Sequence, residues 1–132
     1  MTNNDLIKHW VETSDEDFDV AEAMFKSKKY TWCLFIGHLV IEKLMKAIFI
    51  KVNDNPDPPK IHNLIRLAEL CKMELGEEQR RAFNVINTFN IDARYTAIKY
   101  EFSKRCTKEY THEQFTKIKE IRQWLKSILT SK

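Results

Sequence analysis

Apolar residues return at steps of three and four along most of this chain, the spacing that gathers them on one face of a helix. Trp10, Ser14, Phe18, Ala21 and Phe25 form one such stripe and predict a first helix over residues 4–27, with its carboxylates facing water. Ser27-Lys28-Lys29 reads as a short polar turn. From Tyr30 to Lys51 the pattern changes, because Leu34, Phe35, Leu39, Ile41, Leu44, Met45, Ile48 and Phe49 surround the axis almost completely. A helix this apolar belongs at the centre of a bundle or in an oligomer interface. The run Asn53-Asp54-Asn55-Pro56-Asp57-Pro58-Pro59 must end it, since turn formers and successive prolines cannot continue a helix.

A third helix is predicted from Ile61 to Glu74, with Gly76 as its C-cap. A fourth starts near Glu77 and buries Ala82, Phe83, Ile86 and Phe89. The last is expected to open at Thr111, where Thr111 and Gln114 match a capping box ahead of Phe115, Ile118, Ile121, Trp124, Leu125 and Ile128. The expected architecture is all-α: an antiparallel up-and-down bundle of about five helices, one domain over residues 1–132.

Composition agrees. Two glycines and three prolines are too few for a many-turned β-sandwich. Cys33, Cys71 and Cys106 are widely spaced and read as reduced thiols. The most apolar stretch is interrupted by Glu42, Lys43 and Lys46, so no membrane span is expected. The polar, acidic start does not read as a signal peptide, and the expected compartment is the cytoplasm. The net charge of +3 hides an asymmetry, because residues 1–25 sum to −6 and residues 94–132 to +6. Neighbouring first and last helices of complementary charge explain this, and a basic face for RNA or a nucleotide is the alternative.

Chemistry concentrates in two places. His38, Glu42 and Lys46 stand four apart on the otherwise apolar second helix and predict a buried polar network, with Glu42 and Lys46 in the favourable order for an ion pair. His62, expected at the start of the third helix, joins this structural set as a cap or backbone contact. No second His/Glu pair supports a metal site, and no cofactor is expected. A Gly-rich phosphate loop is absent. The second place is Ile91 to Phe102, read as a connection, where Arg94, Tyr95, Lys99 and Tyr100, with Lys104 beyond, combine phosphate-seeking cations with rings able to stack on a base. The competing reading pairs Arg94 with Asp92 or Glu42 in a salt bridge that only braces the fold.

Taken together, Glu42-Lys43-x-x-Lys46-Ala47, then Ile61-His62-Asn63-Leu64 after a proline-rich loop, then Ala93-Arg94-Tyr95, resemble the HEPN domain family from Trp10 to Trp124. The resemblance implies an all-α bundle, often a homodimer. It also implies dealings with nucleotides or RNA and a frequent nucleotidyltransferase partner in toxin–antitoxin-like pairs. Many members are metal-independent ribonucleases that use an Arg followed four to six residues later by a His. In such a pair the arginine holds the phosphate and the histidine moves a proton during attack by the ribose 2′-hydroxyl.

This chain departs from that pattern, for Lys99 occupies the window and no histidine follows Arg94 there. An ordinary lysine ammonium stays protonated at neutral pH and is a poor general base. The expectation is therefore a homodimeric binding module for a nucleotide, RNA or a nucleotidyltransferase, with anion-binding residues Arg94, Tyr95, Lys99, Tyr100 and Lys104. The alternatives are a degenerate ribonuclease using Arg94 with Lys99 or a distant His62, and a purely structural dimerisation domain.

Overall fold

The apolar second helix is the axle of the molecule. In a computed structural model, which describes residues 1–94 and 96–131, α2 (Tyr30–Asn53) buries Leu34, Val40, Ile41, Leu44, Met45 and Ile48 completely. Around it pack α1 (Asn3–Lys26), α4 (Glu77–Asp92) and α6 (Lys108–Thr130), while α3 (Leu64–Leu70) and α5 (Thr96–Arg105) are short elements in the connections. The described residues are all-α, as the periodicity predicted.

Directions follow from particular contacts. Lys28, at φ 61°, reverses the chain so that α1 lies back along α2, and Ser14 donates to the carbonyl of Val40 across that seam at 2.9 Å. Helix α6 runs parallel to α2: Gly37 faces Ile118, and Lys51 Nζ reaches the terminal carbonyls of Ile128 and Leu129 at 2.8 and 3.2 Å. A cation there also answers the negative end of the α6 dipole. Helix α4 runs the other way, and the four long helices alternate up and down. The charge asymmetry has a structural outcome as well. Asp15 on α1 meets Arg122 and Lys126 on α6 at 3.0 and 2.7 Å, while Arg122 lies 4.0 Å over the Phe18 ring. Partial burial pushes the Asp15 carboxyl up, but the hydrogen bonds and charges of Lys126 and Arg122 together outweigh it and hold the group below the usual carboxylate range.

Four local expectations are corrected. The third helix covers only Leu64–Leu70, because Asn63 supplies the N-cap by accepting from the amides of Ile65 and Arg66. Gly76 is the N-cap of α4 rather than a C-cap, with its amide donating to Gln79 Oε1 at 2.9 Å. The last helix begins a turn early, at Lys108, where Thr107 accepts from the amide of Tyr110. Thr111 and Gln114 are instead buried inside that helix, so their capping-box spacing was a coincidence of the first turn. Finally, the stretch after α4 is not an open connection, since it forms α5 as soon as Thr96. The anchor of α5 is Phe102, fully buried and stacked on Phe89 with ring centroids 5.6 Å apart. One buried aromatic is too little periodicity to announce a helix from sequence.

Candidate functional site

One face of α2, running from near the end where α4 finishes to past the helix middle, carries Phe35, His38, Glu42 and Lys46, separated by three, four and four residues. Glu42 is the hub. Its Oε1 accepts from His62 Nδ1 at 2.8 Å and its Oε2 from Lys46 Nζ at 3.3 Å, with the carboxylate itself only 6% exposed. Lys46 continues the chain of contacts by lying 5.6 Å from the centre of the Trp10 ring. A buried carboxylate without such partners would be costly, so this hub stands only because both donors reach it.

His38 is fully buried, and its Nε2 lies 3.2 Å from the carbonyl of His62. A carbonyl only accepts, so Nε2 carries the hydrogen and Nδ1 presents a lone pair. That Nδ1 has no hydrogen-bond partner among the described residues and sits 3.9 Å from Glu42 Oε1. Burial pushes the His38 imidazole below its ordinary value, opposed by the Glu42 carboxylate and the His62 carbonyl, while the charges of His62 and Arg94 push the same way as burial. The loop after α2 is therefore clipped twice to one face, through the ring of His62 and through its carbonyl. The clip fixes the Nδ1 hydrogen of His62 on Glu42 and leaves Nε2 as the free ring nitrogen of a side chain that is half exposed.

Arg94 follows the C-cap of α4, is exposed, and holds its guanidinium 5.3 Å from the centre of the Phe35 ring. Neither salt bridge considered from sequence forms. Asp92 is taken by Arg105 at 3.2 Å, and Glu42 is taken by His62 and Lys46. Among the described residues no carboxylate pairs with Arg94. Its place over Phe35 sets it one helical turn before His38 along α2, and its charge helps to hold the His38 imidazole below its ordinary value.

Lys99 joins the same end of the molecule, with its ammonium 4.2 Å over the Trp32 ring. Tyr100 and Lys104 stand on the exposed side of α5. They lie about half a helical turn or more away from the inward Phe102, and Lys104 pairs with Tyr100 itself at 4.1 Å and with Glu101 at 3.8 Å. Tyr95, named with them from sequence, lies outside the described residues. Periodicity gives Phe35 only as one more apolar position of a core helix and does not single out Trp32 at all. The available signal was their place on α2 three residues apart, at the end where Arg94 returns.

Residues 7–128 match the sequence profile of the HEPN domain, nearly the whole chain. The chain belongs to the HEPN family. Searches of curated proteins and of solved structures find no match. The motifs that first suggested the family now have structural roles in this HEPN domain. Glu42 and Lys46 of the second helix, and His62 of the loop before the third, make one hydrogen-bonded unit, and Arg94 lies over Phe35 of the same second helix. Among the described residues no group of three His, Cys, Asp or Glu side chains is placed to hold a metal ion. Among the same residues no helix is long and apolar enough to cross a membrane.

Proposed function

We propose that this HEPN domain is a homodimeric, cytoplasmic binding module that takes a nucleotide or RNA phosphate on Arg94 and works beside a nucleotidyltransferase in a toxin–antitoxin-like pair. The observation that carries the reading is the state of Arg94: exposed, stacked over Phe35, and without a carboxylate partner among the described residues. A guanidinium held by a ring keeps its hydrogen-bond donors available, and a bidentate phosphate suits them. Lys99 adds a second cation from α5. The test measures binding of a labelled RNA oligonucleotide by wild type and by Arg94→Ala, with the fold monitored by circular dichroism. A loss of about tenfold or more in affinity with unchanged folding is expected for removal of a charge-assisted phosphate contact. Equal binding by both proteins rules the reading out. Sedimentation and co-expression with an adjacent nucleotidyltransferase test the dimer and the partner.

A second reading, metal-independent RNA cleavage, is favoured by the Glu42–His62 hydrogen bond at 2.8 Å. A carboxylate behind Nδ1 orients the imidazole with Nε2 outward, the arrangement of a general base. His62 Nε2 would accept the 2′-hydroxyl proton, O2′ would form its bond to phosphorus, and the 5′-oxygen would depart with a proton returned from His62. The products are a 2′,3′-cyclic phosphate and a 5′-hydroxyl. Cleavage in the presence of chelator that disappears in His62→Gln would support it, and the absence of cleavage by wild type would end it.

A further inference from the structure

We infer that Trp32 is a nucleobase-binding platform, so that the ligand of the Arg94 site is single-stranded RNA held by one phosphate and a neighbouring base. The inference rests on the reading of Arg94 as the phosphate ligand and assigns a separate group to the base.

Trp32 is 40% exposed on a helix whose other large side chains are mostly buried. An indole left this open forgoes much of the stabilisation that burial would bring. Its ring meets Phe35 edge-on, with centroids 5.8 Å apart, and carries Lys99 at 4.2 Å. The same indole forms a wall of a hollow of about 530 Å³ with Met24, Ser27, Lys29 and Ile36. That volume lies within the roughly 300–1,000 Å³ typical of sites for small organic ligands.

Three cations stand near Trp32 or its neighbour Phe35. Lys29 lines the hollow, Lys99 lies over the indole, and Arg94 follows one helical turn along α2 at Phe35. The first turn of α2 contains no acidic residue, and its N-cap residue makes no side-chain cap, so the positive end of the helix dipole adds to the same field. Aromatic faces interleaved with cations are how proteins hold single-stranded nucleic acid: the rings take bases and the cations take the backbone. Trp32 and Phe35 are separated by about 4.5 Å along the helix axis, a step short enough for adjacent parts of one strand. A base pair buries the faces of its bases in the stack, so a duplex cannot offer one to Trp32.

The test is fluorescence anisotropy with a short labelled RNA, competed by unlabelled single strand, duplex RNA, a mononucleotide and inorganic phosphate. The proteins are wild type, Trp32→Ala, Trp32→Phe and Arg94→Ala, each checked for native melting. Trp32→Ala is expected to lose about tenfold in single-strand affinity, the usual effect of removing one stacking ring, and Trp32→Phe to recover most of it. Competition by inorganic phosphate should be the same for wild type and Trp32→Ala, because phosphate is held by the cations and makes no use of the indole face. Unchanged single-strand binding in Trp32→Ala alongside weakened binding in Arg94→Ala overturns the platform and leaves the phosphate site standing. Duplex competing as well as single strand also overturns it. If wild type binds none of the four competitors' classes, the Arg94 reading fails and the platform falls with it.

Discussion

Glu42 Oε1 and His62 Nδ1 lie 2.8 Å apart, joining the middle of α2 to the loop that leads into α3. This bond converts a proline-rich connection into a fixed part of the candidate site. It also uses the hydrogen on Nδ1, which decides the side of the imidazole available to a ligand.

Glu42→Ala should cost about 3 kcal/mol of stability, the usual loss when one member of a buried charge network is removed. Lys46 would be stranded with its side chain only 9% exposed, and His62 would be freed. Glu42→Gln keeps an acceptor for His62 and should cost less. Urea unfolding of the three proteins measures both differences, and a loss below about 1 kcal/mol in Glu42→Ala would show that the hub contributes little.

Stability should fall as the medium is acidified below pH 6.5, through His38. Its folded-state pKa is depressed from the ordinary 6.5, chiefly by burial. As pH drops, the unfolded chain therefore binds this proton first. The contribution is complete above the unfolded value and disappears as pH falls through the folded one. Asp15, also depressed, contributes a separate loss only in stronger acid, below its ordinary 3.8. Melting curves from pH 8 to pH 5 should show the decline in wild type and a flatter profile in His38→Gln. Parallel profiles would assign the effect elsewhere.

Gly37 lets α2 and α6 approach closely. A Cβ built there would come 2.7 Å from Ile118 Cδ1. Alanine gains about 1 kcal/mol of helix propensity over glycine, and the overlap opposes that gain. Removing the obstructing methyl should release it. The double variant Gly37→Ala/Ile118→Val is expected to be more stable than the two single effects predict by at least ~0.5 kcal/mol. Strict additivity would mean that the Ile118 side chain already moves aside freely.

The three cysteines should be inert in the folded protein. All are free and buried, and burial pushes Cys33 and Cys71 up to about 12 and Cys106 to about 11. Thiolate is the reactive species, so little of it exists at pH 8. A thiol-specific chromogenic reagent should label the native chain slowly and label three thiols once it is unfolded. Rapid native labelling of any one would reveal local opening at that position.

What the chain determined by itself is the helical architecture and its centre. The three- and four-residue spacing of apolar positions is local information, and an all-round apolar α2 can be stable only inside a bundle. The family motifs were legible for a related reason, since each is a short run of residues on one element. Tertiary structure decided everything that depends on which elements meet. His62 could be placed near the start of α3 from sequence, but its bond to Glu42 spans twenty residues and a proline-rich loop. Arg94 had two carboxylates in view, and only packing showed both engaged with other cations. Tyr100 and Lys104 belonged with Lys99 by sequence, yet once α5 forms around the anchor of Phe102 its helical pitch turns them to another face. Trp32 stands out only once the bundle has closed and left it exposed. Periodicity reports which residues share a face, while the partner of that face is settled only when distant segments compete for it.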